Sequence, residues 1–216
     1  MAELLATSFD GTRITALDDG NGPTLLLVHG SGGDATSWDR VVRSLTDDFR
    51  VVRVHRRIYA PGARIAPTYS MALEAADILA IAGLLDRPPF LVGHSSGAVA
   101  ALEAALRAPT AFVGLSLYEP PLPTRSLIGG VAAQHAQRAL AAGDPGEAMR
   151  IQLRDIVQVP MEVIEFLLAD LAAALPDART VTLAGQGHAA HLTAPEALAD
   201  TIRDSARRSF AEYAQS

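Results

Sequence analysis

The segment GHSSG at residues 93–97 fits the pattern G-x-S-x-G, whose central serine is suited to nucleophilic attack. An aliphatic run, Phe90–Val92, precedes it, and a segment with helical periodicity, Ser96–Arg107, follows it. A serine between a strand and a helix must occupy a strained turn, and bulk at either glycine would collide with neighbouring backbone. We predict that Ser95 is a nucleophile. The N–H of Ser96, at the helix N-terminus, would then stabilise a developing oxyanion.

A second candidate element is the segment HGSGG at residues 29–33, which follows the aliphatic run Thr24–Val28. Its small residues let the backbone approach a substrate closely, and we predict that the N–H of Ser31 completes the oxyanion hole. Residues 30–35 also match G-x-G-x-x-A, the fingerprint of dinucleotide-binding enzymes. Arg56 and Arg57, after the next strand, could then meet a 2′-phosphate. Two observations weaken this NADP-binding alternative. A hairpin precedes the strand that carries the motif, and the alternative gives the GHSSG segment no role.

Six histidines are candidates for the general base that would activate Ser95. His188 closes the segment GQGH, just after the predicted strand Arg179–Leu183, and a loop at a strand end can bring an imidazole over a nucleophile on the same sheet edge. His191, three residues further on, is the competitor. We predict that His188 is the general base.

Strands and helices must alternate to position these residues. The Asp10-Gly11 pair predicts a hairpin between Glu3–Ser8 and Arg13–Leu17. Further strands are predicted at Thr24–Val28, Phe49–Val54, Phe90–Val92 and Ala111–Tyr118, and helices at Thr36–Leu45, Ser70–Leu85 and Ser96–Arg107. This order predicts an α/β fold with a mostly parallel sheet flanked by helices.

The pattern changes after Glu119, where three prolines follow within four residues. Helices are predicted at Leu127–Ala142, Pro145–Val157 and Met161–Leu175, a strand at Arg179–Leu183 and a last helix at Pro195–Phe210. We interpret residues 124–175 as a helical cap or lid inserted into a core formed by residues 1–123 and 176–216.

These elements together resemble the α/β-hydrolase superfamily, and most closely its small bacterial esterase-like members with a helical cap. The likeness rests on the hairpin, HGSGGDATSW, GHSSG, LYEPPLP, the cap and GQGHAAH, and it covers nearly the whole chain. It implies a Ser–His–acid triad that attacks an ester or related acyl carbon through an acyl-enzyme.

The acid of that triad departs from the family pattern. Such hydrolases usually carry a strand and an Asp turn roughly 25 to 30 residues before the histidine, and here the window resembles cap helix instead. Glu119, at the end of the predicted strand Ala111–Tyr118, is the first candidate, since some superfamily members draw their acid from this position. Its alternative role is a local bond to backbone, and Glu162 and Asp170 are candidates that depend on the cap.

The composition limits the partners. All 18 basic residues are arginines scattered among 24 acidic residues, with a net charge of −6, so we expect no nucleic-acid partner. No apolar run approaches the ~18 residues of a membrane span, and Met1 to Gly11 lacks a signal-peptide pattern, so we expect a cytoplasmic protein without a membrane partner. Without cysteine there is no thiolate site, and we expect neither a metal nor a cofactor.

The function expected from these residues is cleavage of a small acyl substrate by a serine hydrolase. Two alternatives remain open at this point: a degenerate member of the fold that binds a ligand without turning it over, and the NADP-binding oxidoreductase.

Overall fold

The computed structural model describes residues 2–60, 63, 68–121, 130–151, 155, 171, 173–175 and 177–216. The chain forms two compact units, one of Met1–Pro120 with Gly185–Ser216 and one of Pro121–Ala184. All five predicted site residues lie in the first unit: Ser31, Ser95, Ser96, Glu119 and His188.

The first unit is built on a six-stranded sheet with the order β1-β2-β4-β3-β5-β6. The strands are β1 (Ala2–Thr7), β2 (Arg13–Asp19), β3 (Thr24–Val28), β4 (Arg50–Val54), β5 (Phe90–His94) and β6 (Gly114–Tyr118). The β1–β2 hairpin joins β4 in antiparallel fashion, and β4, β3, β5 and β6 are mutually parallel. The predicted hairpin, the four strands predicted between it and Tyr118 and the mostly parallel sheet are confirmed, although β6 begins at Gly114 and not at Ala111.

Helices cover both faces of this sheet. Leu26 on β3 and Leu91 on β5 share a buried cluster with apolar side chains of α2 (Met71–Ala82) and α3 (Ser96–Arg107). Leu25 and Leu27, which alternate with Leu26 and so point to the opposite face, are also fully buried. On that side the C-terminal helix α7 (Pro195–Tyr213) contacts β5, β6 and α1 (Asp39–Val42). Burial on both faces explains the continuous aliphatic runs.

Two elements of this unit differ from the prediction in detail. The stretch predicted as a helix at Thr36–Leu45 is a 3₁₀ turn, Ala35–Trp38, followed by the single turn of α1. The Asp34 carboxylate starts that turn by accepting from the Thr36 N–H at 2.8 Å. A short helical turn, α6 (Ala190–Thr193), leads into α7.

The second unit contains α4 (Gly130–Ala141) and α5 (Pro145–Ile151), which pack through Ala136, Ala148 and Ile151. The predicted strand Arg179–Leu183 is wrong: these residues form no strand, and Val181 is 55% exposed. A strand needs a neighbouring ladder to satisfy its backbone groups, and no strand of the described residues pairs with this segment. Most of the predicted helix Met161–Leu175, together with Glu162 and Asp170, lies outside the described residues, so the lid stays a prediction.

Across the described ranges, no helix is both long enough and apolar enough to span a bilayer.

Candidate active site

Ser95 occupies a strained turn between β5 and α3. Its backbone has φ 52° and ψ −128°, a conformation that costs an L-residue about 1–3 kcal/mol and persists only where the surroundings enforce it. The Ser95 N–H donates to the carbonyl of Tyr118, 3.0 Å away, which ties the turn to β6. This is the conformation expected of a nucleophile held at the carboxyl edge of a parallel sheet.

The glycines around Ser95 are there for steric reasons. A Cβ on Gly97 would lie 2.2 Å from the carbonyl oxygen of His29, and a Cβ on Gly93 would lie 2.5 Å from the Cα of Ala98. The loop after β3 also comes near, because a Cβ on Gly30 would lie 3.1 Å from the Cβ of Ser95. The loop after β3 and the turn after β5 are therefore in direct contact.

His188 and Glu119 form the other half of the site. The Nδ1–H of His188 donates to Oε2 of Glu119 over 2.6 Å, with side chains that are 29% and 15% exposed. The register of β5 and β6 pairs His94 with Tyr118, so the next residues on the two strands, Ser95 and Glu119, leave the same sheet edge side by side. Glu119 itself has φ 44°, a second strained residue at this edge.

The loop that carries His188 is held by Tyr118 and His94. The Tyr118 hydroxyl donates to the carbonyl of Gly187 and accepts from the Ala190 N–H at 2.8 Å. The His94 ring, stacked on Tyr118 with centroids 4.7 Å apart, donates from Nε2 to the carbonyl of His188 at 3.0 Å. Sequence reasoning missed both residues, although each directly precedes a predicted site residue on its strand.

His94 remains neutral in this position. Burial is the main cause that lowers the pKa of His94 to about 3, and the neighbouring His188 and His191 rings lower it further. Only a neutral imidazole with its proton on Nε2 fits the bond to the His188 carbonyl without adding a charge next to the base. His94 is therefore suited to holding the loop and not to proton transfer.

His191 is placed differently from His188. Its ring lies 4.6 Å from that of His94 and 6.2 Å from that of Trp38, and burial, aided by His188, lowers its pKa. Its Nδ1 is buried without a hydrogen-bond partner among the described residues. Because the carboxylate contacts His188, the geometry favours His188 over His191 as the base.

The contact that a Ser–His pair would need is absent from the hydrogen bonds that the described residues form at this site. Within the part of the chain that the structure describes, no hydrogen bond joins Oγ of Ser95 to the His188 ring. Such bonds are commonly long in ligand-free enzymes and tighten in the complex with substrate.

A series of polar contacts joins the loop after β3 to the start of α3. The hydroxyls of Ser31 and Ser96 lie 2.8 Å apart, and Nη1 of Arg56 donates to Oγ of Ser96 at 2.9 Å and to the carbonyl of His29 at 3.0 Å. Arg56 is 2% exposed and forms an ion pair with the equally buried Glu74. No local pattern predicts that this arginine is buried, since arginines after a strand are usually solvated.

These contacts argue against the dinucleotide alternative. Arg56 is enclosed by Glu74 and Ser96, and Arg57 pairs with Asp77 and Asp10. Neither guanidinium is therefore free to meet a 2′-phosphate. In the described ranges, no group of three His, Cys, Asp or Glu side chains is arranged to hold a metal ion.

Comparison with known proteins agrees with this architecture. Residues 25–161, more than half of the chain, match the family described as "Alpha/beta hydrolase family". The chain belongs to the alpha/beta hydrolase family. This α/β-hydrolase superposes on a thermophilic esterase from Thermogutta terrifontis with a TM-score of 0.71 at 20% identity, over 97% of this chain and 99% of that one. At that identity the likeness shows a shared fold.

Relatives at higher identity match only part of this α/β-hydrolase. A pimeloyl-[acyl-carrier protein] methyl ester esterase of Methylococcus capsulatus is 38% identical over 98 residues, which are 45% of this chain and 37% of the relative. A probable oxidoreductase, EphD, of Mycobacterium tuberculosis is 38% identical over 105 residues, 46% of this chain and 18% of the relative. The chain thus matches less than half the length of these curated relatives.

Proposed function

We propose that this α/β-hydrolase is a serine hydrolase that cleaves a small acyl substrate, a carboxylic ester or a close relative, with Ser95, His188 and Glu119 as its triad. The observation that carries the proposal is the 2.6 Å bond between His188 and Glu119 at the sheet edge where Ser95 occupies its strained turn. The partial similarity to a methyl ester esterase supports an ester as the substrate class.

In the proposed reaction, Oγ of Ser95 attacks the acyl carbon while Nε2 of His188 takes its proton. The Glu119 carboxylate holds Nδ1–H in place and stabilises the imidazolium that forms. The backbone N–H groups of Ser31 and Ser96 hold the oxyanion of the tetrahedral intermediate. His188 then returns the proton to the leaving alcohol, which departs from an acyl-enzyme on Ser95, and water releases the acid by the same steps.

The proposal requires a reactive serine at position 95. A fluorophosphonate probe should label the wild-type protein and leave Ser95→Ala unlabelled, while the matched variant Ser205→Ala, on helix α7, should label normally. Labelling of Ser95→Ala at the wild-type rate would contradict the assignment.

The second candidate is a ligand-binding protein that keeps the fold but has lost turnover. It is motivated by the departure of the acid from the family pattern, because Glu119 at the end of β6 stands in for the usual Asp turn. Absence of fluorophosphonate labelling in the wild type, together with saturable binding of an ester ligand, would support this candidate and reject the hydrolase.

A further inference from the structure

Three polar side chains beside Ser95 form a chain that runs from the interior to the surface. The guanidinium of Arg56 is buried, the hydroxyl of Ser96 is half-buried and that of Ser31 is exposed. Arg56 Nη1 lies 2.9 Å from Oγ of Ser96, which lies 2.8 Å from Oγ of Ser31. The backbone N–H groups of these same two serines are the proposed oxyanion donors.

One O–H group in this series of hydrogen bonds has no acceptor within the series. Arginine can only donate, so Oγ of Ser96 accepts from Arg56. The two hydroxyls carry two protons, and the single bond between them uses one. A head-to-tail arrangement, in which Arg56 donates to Ser96 and Ser96 to Ser31, strengthens each bond through the previous one. In this arrangement the free O–H belongs to Ser31, the exposed member.

The residues that flank these two hydroxyls lie against Ser95. Ser96 directly follows Ser95. Gly30 precedes Ser31 and packs against Ser95, so that a Cβ added to Gly30 would lie 3.1 Å from the Cβ of Ser95. The Ser31 hydroxyl is therefore carried on the same short loop as the N–H that faces the oxyanion. A hydroxyl polarised by a buried guanidinium is a stronger donor than an isolated serine.

We propose that the Ser31 hydroxyl is a third oxyanion donor, aligned by the Ser96 hydroxyl with Arg56 as the positioning residue. This inference rests on the proposed hydrolase function. Arg56 does not touch the substrate. Its Nη1 donates both to the Ser96 hydroxyl and to the carbonyl of His29, at the base of the proposed oxyanion loop, and this fixes the direction of the Ser96 hydroxyl. Glu74 balances its charge, so the effect on the oxyanion comes through hydrogen-bond direction and polarisation.

The first test removes only the donor. Ser31→Ala keeps the backbone N–H, so it should lower kcat for p-nitrophenyl acetate about 100-fold, the loss usual for one oxyanion donor, with KM nearly unchanged. Ser31→Thr, which keeps a hydroxyl, should recover most of the activity, and Ser205→Ala should match the wild type. A kcat of Ser31→Ala within threefold of the wild type would overturn the proposal.

The second test asks whether Arg56 acts through Ser31. The double variant Arg56→Met/Glu74→Gln removes the buried ion pair as a unit, and it should lower kcat in the wild-type background but add little to Ser31→Ala. Equal losses in both backgrounds would show that Arg56 acts by another route. If this variant does not fold, the Ser31 series decides alone.

The outcomes also separate this proposal from the hydrolase assignment. A wild-type protein without esterase turnover or fluorophosphonate labelling would refute both. An active, labelled wild type with an equally active Ser31→Ala would refute the third donor and leave the triad intact.

Discussion

Replacing Glu119 by glutamine is the sharpest probe of the proposed triad. The change keeps the size of the side chain and the strained backbone at φ 44°, and it removes only the negative charge that faces His188. The neutral amide can still accept from Nδ1, but it no longer stabilises the imidazolium, and its NH₂ group favours the wrong imidazole tautomer if it turns toward the ring.

The size of the effect follows from the geometry of the pair. Both side chains are partly buried, so an effective dielectric constant of about 20 is appropriate, and two charges about 4 Å apart then attract by about 4 kcal/mol. Losing that attraction in the transition state lowers kcat about 10³-fold, since each ~1.4 kcal/mol is a factor of ten. A further loss from the tautomer would bring the effect toward the ~10⁴-fold known for triad carboxylates.

The assay is steady-state hydrolysis of p-nitrophenyl acetate, with thermal unfolding measured alongside. Glu119→Gln should have low kcat, little change in KM and a melting temperature close to that of the wild type. The matched control is Glu103→Gln on α3, which removes an exposed carboxylate paired with Arg107 and should leave kcat unchanged. A folded Glu119→Gln enzyme with a kcat within threefold of the wild type would refute the acid assignment.

Three further predictions concern the surroundings of the triad. Tyr118→Phe removes the hydroxyl that holds the His188 loop but keeps the ring stacked on His94, so it should lower kcat about tenfold, the effect of a net hydrogen bond of ~1.5 kcal/mol. The control Tyr213→Phe, at an exposed position, should leave kcat unchanged, and a Tyr118→Phe enzyme with the kinetics of the wild type would contradict the loop-holding role. Gly97→Ala should destabilise the fold by about 1–3 kcal/mol or more in urea unfolding, because its Cβ meets the His29 carbonyl; unchanged stability would refute the steric argument. Burial lowers the pKa of His94 to about 3, below about 6.5 in the unfolded chain, so the unfolded state binds more protons at pH 5. The free energy of unfolding should therefore fall by about 1.7 kcal/mol between pH 6.5 and pH 5 from this residue, in addition to the contribution of the buried His29. His94→Gln should make that slope shallower by this amount, and an equally steep slope would exclude His94 as a source.

Much of this fold is predictable from the sequence because its signals are local. The runs at Thr24–Val28 and Phe90–Val92 are aliphatic without alternation, and a strand buried on both faces requires that composition. The helix Ser96–Arg107 has the predicted bounds, because its start is set by the turn at Ser95. The strand predicted at Arg179–Leu183 failed, because a strand depends on a neighbour that the local sequence does not specify.

Within the candidate site, too, some features follow from local sequence and others from the tertiary fold. Local sequence is enough to place Ser95 at a strand–helix junction with a glycine on each side of the turn, since steric exclusion acts on residues that are near in sequence. Which carboxylate meets His188 was decided by tertiary structure: the β5–β6 register and the loop held by Tyr118 bring together residues 69 positions apart. The burial of Arg56 depends on the tertiary fold in the same way, because a buried guanidinium needs a partner for its charge. Here Glu74, Ser96 and the carbonyl of His29, all distant in sequence, accept from its Nε and Nη1.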